Sequence, residues 1–239
     1  MCTVSYIPAT GGYYLTSNRD EKSTRSNALE PKIYSYKSTN LIFPKDPDAN
    51  GTWIVLKENN DALCLLNGAF TNFVDKENYS VSRGIVVLEI ASNKNMLEAF
   101  EQIDLSKTAP FTLIMINKNA LYECRWDGEQ KHTKLLDVAT AYIWSSATLY
   151  NEAQRTTRKN WFNKFMHQNY FPNQEEIINF HTHSGDGNVE NDLVMNRNNK
   201  YFTVSITSIA VTDNSYMLYQ NLTTHDRSSA TFAQEFAIG

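Results

Sequence analysis

Cysteine is scarce in this chain, with three in 239 residues at positions 2, 64 and 124. That number and scatter exclude a disulfide framework and a cysteine-based zinc site. Glycine and proline are sparse too, nine and six residues, so collagen-like and low-complexity linker sequence are excluded. Long hydrophobic runs are missing: no apolar stretch approaches the roughly 20 residues that cross a bilayer. The start of the chain lacks the basic n-region and uninterrupted apolar stretch of a secretory leader. The expectation is therefore a cytoplasmic protein without an integral membrane segment, in which the sequons at Asn50, Asn78 and Asn221 carry little meaning. An excess of positive charge is also absent. Net charge is −4 and the isoelectric point is near 5.7, which gives no electrostatic footprint for nucleic acid. Arg155, Arg158, Lys159 and Lys164 fall at helical spacing and read as a solvated face. No Gly-x-Ser-x-Gly elbow is present, and Gly185-Asp186-Gly187 lacks the third glycine and the preceding strand of a dinucleotide fingerprint. Neither a serine hydrolase of that type nor a nucleotide cofactor is expected; no cofactor of any kind is.

What is there suits a substantial core: 41% of residues are hydrophobic and 12% aromatic. Beta-type segments dominate. Cys2–Ile7 and Tyr13–Asn18 flank Thr10-Gly11-Gly12, and Trp53–Lys57 and Ala62–Asn67 flank Glu58-Asn59-Asn60-Asp61; both read as hairpins. Ile85–Ile90 and Phe111–Asn117 are continuous β-branched and aromatic runs, expected to be strands buried on both faces. Leu121–Trp126, Tyr142–Ser145, Phe202–Val211 and Tyr216–Gln220 add further strands. Helices are predicted over Asn93–Ile103, Asn151–His167 (with Ala153, Trp161, Phe165 and Met166 as its apolar stripe) and Asn173–His181. Tyr34–Gly51 and Ser184–Asn199 read as loops. Many antiparallel strands with a few helices point to an α+β fold, with residues 1–239 forming one domain.

Position 2 carries the sharpest chemical signal. Methionine aminopeptidase removes Met1 when the next side chain is small, which would leave Cys2 with a thiol and a free α-amine on one residue. The thiol is a nucleophile, and the amine, with a pKa near ~7.7–8.0, is a base that can take its proton at neutral pH. Cys64 and Cys124 lie within apolar strands and read as small core residues.

One hairpin later the chain reads Asn18-Arg19-Asp20-Glu21. An opening Met-Cys, a short hairpin and Asn-Arg-Asp-Glu together resemble the family named for that tetrapeptide, whose animal members are the transport and Golgi organisation protein 2 group. The layout is more distantly similar to the bile-salt hydrolases and penicillin V acylases, which are N-terminal nucleophile (Ntn) hydrolases. The resemblance implies a four-layer αββα sandwich of two antiparallel sheets. It also implies a cysteine-nucleophile amidohydrolase or acyltransferase acting on a non-peptide C–N bond of a small acyl-amide substrate. By the same resemblance, Asp20 holds the α-amine and Asn18 matches directly, whereas Ser17 stands where the hydrolases carry an arginine. Arg19, two residues on and hence on the same strand face as Ser17, is in reach of that role. Asn67 matches an asparagine whose backbone N–H serves as an oxyanion donor in the hydrolases. A second donor, an asparagine in the family, is replaced by Ser146, with Asn151 as a substitute nearby. The family also implies a second reading, a non-catalytic Ntn scaffold that binds a lipid, haem or other apolar ligand in a trafficking-type role.

Other signals are weaker. His181-Thr182-His183 with Asp186 would make metal ligands only on a strand, and the pair falls at a helix end instead. Asp186, Asn188, Glu190 and Asp192 alternate without the glycine and terminal glutamate of a calcium loop. No metal is expected at either place. Trp53, Trp126, Trp144 and Trp161 read mainly as core.

Overall fold

The chain opens as a hairpin in which β1 (Thr3–Ala9) pairs with β2 (Gly12–Lys22) around Gly11, whose φ of +77° suits glycine. The next residue, Gly12, lies so close to the strand beyond it that a Cβ would sit 2.0 Å from the Val211 carbonyl oxygen. The computed structural model describes residues 3–73 and 79–232, so Cys2 lies outside the described residues. Along the chain follow β3 (Leu29–Tyr36), β4 (Thr39–Lys45), β5 (Ile54–Lys57), β6 (Ala62–Asn67), α1 (Arg83–Ala91), α2 (Met96–Gln102), β7 (Phe111–Asn117), β8 (Ala120–Trp126) and β9 (Lys131–Leu136). Then come β10 (Tyr142–Ser145), α3 (Glu152–Gln168), α4 (Gln174–His183), β11 (Asn196–Arg197), β12 (Tyr201–Val211), β13 (Ser215–Asn221) and β14 (Arg227–Thr231).

Two antiparallel sheets result. One runs β10-β1-β2-β12-β13-β14, with β11 on β12; the other runs β3-β4-β5-β6-β7-β8-β9. Alternation along the strands decides what lies where. Val4 and Tyr6 of β1, Tyr13 and Leu15 of β2 and Ile209 and Val211 of β12 join the main core with the second sheet. Their neighbours Thr3, Ser5, Ile7 and Asn18 face the other way, and Ile7 packs with Phe162, Ile177, Phe180 and Leu193 of the helical side. Helices α3 and α4 cover the first sheet while α1 and α2 cover the second, which completes the αββα layering.

The expected hairpins and the strands over Phe111–Asn117, Leu121–Trp126 and Tyr142–Ser145 are present, as are the three predicted helices, with ends shifted by a few residues. Ile85–Ile90 is a correction: it lies in α1, not in a strand. Ser82 caps the helix by accepting from the Gly84 N–H, and Val86, Val87, Leu88, Ile90 and Ala91 are all buried. A helix enclosed on most sides shows the same unbroken apolar run as a doubly buried strand. Tyr34–Gly51 is likewise not all loop, because β3 and β4 pair across a tight turn formed by Lys37 and Ser38, both at positive φ. Arg158 is the third correction. It is fully buried, not part of a solvated face. Among the described residues, no helix is long and apolar enough to cross a membrane.

Candidate functional site

Strand β2 carries its Asn-Arg-Asp-Glu run into the open end between the sheets. There Thr3 of β1 pairs with Asn18, and Arg19 and Asp20 pair with Ser205 and Thr203 of β12. A bulge between Thr203 and Ser205 shifts the register. The extra residue turns Thr203 onto the face of Asp20. Asp20 is 3% exposed, yet its carboxylate is well held: Thr203 Oγ1 donates to Oδ1 at 2.5 Å and Tyr150 Oη donates to Oδ2 at 2.8 Å. A buried carboxylate needs such donors to stay ionised without prohibitive cost.

Arg19 takes the opposite face. Its Nη2 donates to Asp46 Oδ2 at 2.8 Å, and its guanidinium carbon lies 4.7 Å from the centre of the Trp53 ring. Asp46 also accepts from Arg25, and its other oxygen accepts the backbone N–H groups of Asp48 and Ala49. That carboxylate therefore ties the β4–β5 loop to both arginines. Glu21 Oε1 stands 3.9 Å from Arg19 Nη2.

Arg19, Asp20 and Asn67 line one cleft of about 700 Å³, whose wall also includes Trp53, Tyr79, Arg83, Thr148 and Tyr201. Most of this lining is polar or charged. The Asn67 backbone carbonyl accepts from Ser146 Oγ at 2.8 Å, while no hydrogen bond from the Asn67 carboxamide occurs among the described residues. The buried indole N–H of Trp53 also has no acceptor there. Trp53 belongs to the main core, as expected of the tryptophans, and one part of it also forms cleft wall.

The remaining predicted site residues lie elsewhere. Ser146 is fully buried, and its hydroxyl lies 2.8 Å from the Asn67 carbonyl and 2.9 Å from Thr148 Oγ1, so it supports the Asn67 turn. Asn151 caps α3 at the surface, accepting the Gln154 N–H, and is not among the residues lining the cleft. Asn18 points away from the cleft into the helical side. Its Nδ2 donates to the carbonyls of Leu193 at 2.8 Å and His181 at 3.1 Å, and its Oδ1 accepts from His181 Nδ1. His181 Nε2 accepts in turn from Ser5 Oγ at 2.7 Å. Both ring nitrogens of His181 are thus engaged within the protein: Nδ1 carries the proton given to Asn18, and the Nε2 lone pair is taken by Ser5.

Complete burial, with the nearby charge of Arg158, pushes the His181 pKa down to about 3. Neutral in the fold, the imidazole takes up a proton on unfolding once the pH drops below the ordinary value near ~6.5. Its contribution to stability is full above that pH and is lost as pH falls toward about 3. Urea unfolding is expected to show stability dropping by roughly 2 kcal/mol between pH 7 and 5 from this group alone. A folded His181→Gln chain should lose that part of the slope; identical slopes in the two chains would refute it.

The family model described as Transport and Golgi organisation 2 matches residues 1–227. The fold recurs in solved structures of low sequence identity. One is a Caenorhabditis elegans N-acylethanolamine-hydrolyzing acid amidase ortholog, with TM-score 0.58, 12% identity, and 87% of this chain and 92% of that one covered. A variant of the conjugated bile acid hydrolase from Clostridium perfringens superposes with TM-score 0.60 at 10% identity over 96% and 92% of the two chains. Penicillin V acylase from Agrobacterium tumefaciens gives TM-score 0.53 at 10% identity over 97% and 86%. No protein with a curated description matches this sequence.

Proposed function

We propose that this chain, which belongs to the Transport and Golgi organisation 2 family, is an N-terminal cysteine amidohydrolase or acyltransferase acting on a small, polar acyl amide. The observation that carries the reading is the meeting of Arg19, Asp20 and Asn67 in one cleft, at the end of the strand that continues directly from Cys2. In the reaction, the Cys2 sulfur attacks the amide carbonyl carbon while its proton passes to the α-amine. Asp20, fixed by two hydroxyl donors, orients that amine. The carboxamide of Asn67 and the guanidinium of Arg19 offer donors for the negative oxygen that develops. Collapse breaks the C–N bond, the leaving amine takes the proton, and water or an acceptor amine resolves the thioester.

The lining of the cleft supports this reading over a bound lipid or haem. Arg19, Glu21, Arg25, Asp46 and Asp48 form an ion-pair network along the wall. Covering such groups with an apolar ligand would strip their water and return no hydrogen bonds. A polar substrate replaces those bonds.

The test is direct. Intact mass should show loss of Met1, and iodoacetamide at neutral pH should label Cys2 far ahead of Cys64 and Cys124. Both of those thiols are buried, and burial pushes both up to about 12. A panel of N-acyl amides should then be turned over. Retention of Met1, or equal labelling of the three cysteines, would sink the proposal.

A further inference from the structure

Arg158 poses a problem that the proposed chemistry does not explain. A guanidinium taken fully out of water costs several kcal/mol unless a counter-charge meets it, yet no carboxylate pairs with Arg158 among the described residues. Its Nε and Nη2 donate to the Asn191 carbonyl, and Nη2 also donates to the Asp192 carbonyl at 2.7 Å. Its Nη1 donates to Thr3 Oγ1. Its guanidinium carbon lies 3.6 Å from the centre of the Tyr150 ring, and that of Arg197 lies 5.1 Å from the same point. Tyr150, itself buried, donates its hydroxyl to Asp20.

These contacts form a chain from α3 to the cleft. A cation over a phenol ring draws electron density from the π face, which strengthens the O–H as a donor to a carboxylate. The same guanidinium fixes Thr3, the residue next to Cys2 in the sequence. One buried charge therefore secures both the start of β1 and the aromatic ring that orients Asp20.

We propose that Tyr150 and Arg158 are positioning residues, holding the Asp20 carboxylate in register with the start of β1 so that Asp20 can act on the Cys2 amine. This rests on the N-terminal nucleophile reading above. Neither residue touches the reacting atoms in this scheme; both act through Asp20 and Thr3.

The experiment is a double-mutant cycle on Cys2 alkylation by iodoacetamide at pH 7, followed by mass spectrometry of the N-terminal peptide. Tyr150→Phe keeps the ring under the guanidinium and removes only the hydroxyl. It should slow alkylation about tenfold, the effect of about 1.4 kcal/mol from one charge-assisted bond. In an Asp20→Asn background the same change should have no further effect, because the group it acts through is gone. Arg158→Lys should fall between wild type and Tyr150→Phe, since a lysine keeps the charge but not the flat stacking surface. Additive effects in the two backgrounds, or no effect of Tyr150→Phe beside a large effect of Asp20→Asn, would overturn the positioning role and leave the nucleophile reading standing. No effect of Asp20→Asn itself would overturn both.

Discussion

Replacement of Asp20 by Asn is expected to slow alkylation of Cys2, and turnover of any amide substrate, by about 100-fold or more, while the protein stays folded. The carboxylate is held by Tyr150 and Thr203, so its position is set before any substrate arrives. Asparagine has the same shape but no charge with which to orient an amine, and its amide nitrogen would meet one of two hydroxyl donors. A general base that loses its orienting group gives up a factor of about 10²–10⁴. The cost in stability is about 1–3 kcal/mol, from the buried hydrogen bond that is disturbed. Stopped-flow alkylation and urea unfolding of the same preparations separate the two effects. A loss of several kcal/mol with unchanged thiol reactivity would show that Asp20 serves the fold alone.

The stacked sheets with helical cover were legible in the pattern of strands and helices, whereas the grouping of Asp20, Arg19 and Asn67 was legible only through the family resemblance carried by Met-Cys and Asn18-Arg19-Asp20-Glu21. Period-two alternation in β1, β2 and β12 marks faces, and the Gly11 turn fixes which residues oppose one another. What escaped depends on partners far along the chain. Ile85–Ile90 reads as a strand because an unbroken apolar run does not tell a buried helix from a buried strand. Strands β9 and β14 are edge strands whose polar sequences carry no apolar pattern to detect. Arg158 sits at a helical spacing shared with Arg155 and Lys159, and nothing local distinguishes the one that turns inward. Its acceptors lie 33 and 34 residues away, in a loop whose course follows from no periodicity. Ser146 follows directly on β10, yet its hydroxyl donates to the Asn67 carbonyl. Motif matching locates such a residue without revealing which bond its hydroxyl spends.

Asn18 shows how a residue can belong to a motif and still serve mainly the fold, and its removal is expected to have the largest effect on stability. Its carboxamide ties β2 to the end of α4 and to the loop after it, through the carbonyls of His181 and Leu193 and through the His181 ring. Asn18 and His181 are both fully buried, so no water replaces the lost partners. Asn18→Ala leaves the His181 ring N–H without an acceptor, removes a donor from both carbonyls, and opens a small cavity. Unsatisfied buried groups cost about 1–3 kcal/mol each, and neighbouring losses do not add fully. A total of about 4 kcal/mol is expected, which for a chain of this length lowers the melting temperature by roughly 8–16 °C. Because Asn18 faces away from the cleft, the fraction that remains folded should alkylate at Cys2 within a few-fold of wild type. Thermal unfolding and alkylation of the two chains at 15 °C test this together. Near-native stability combined with a 100-fold loss of Cys2 reactivity would move Asn18 from the scaffold into the chemistry.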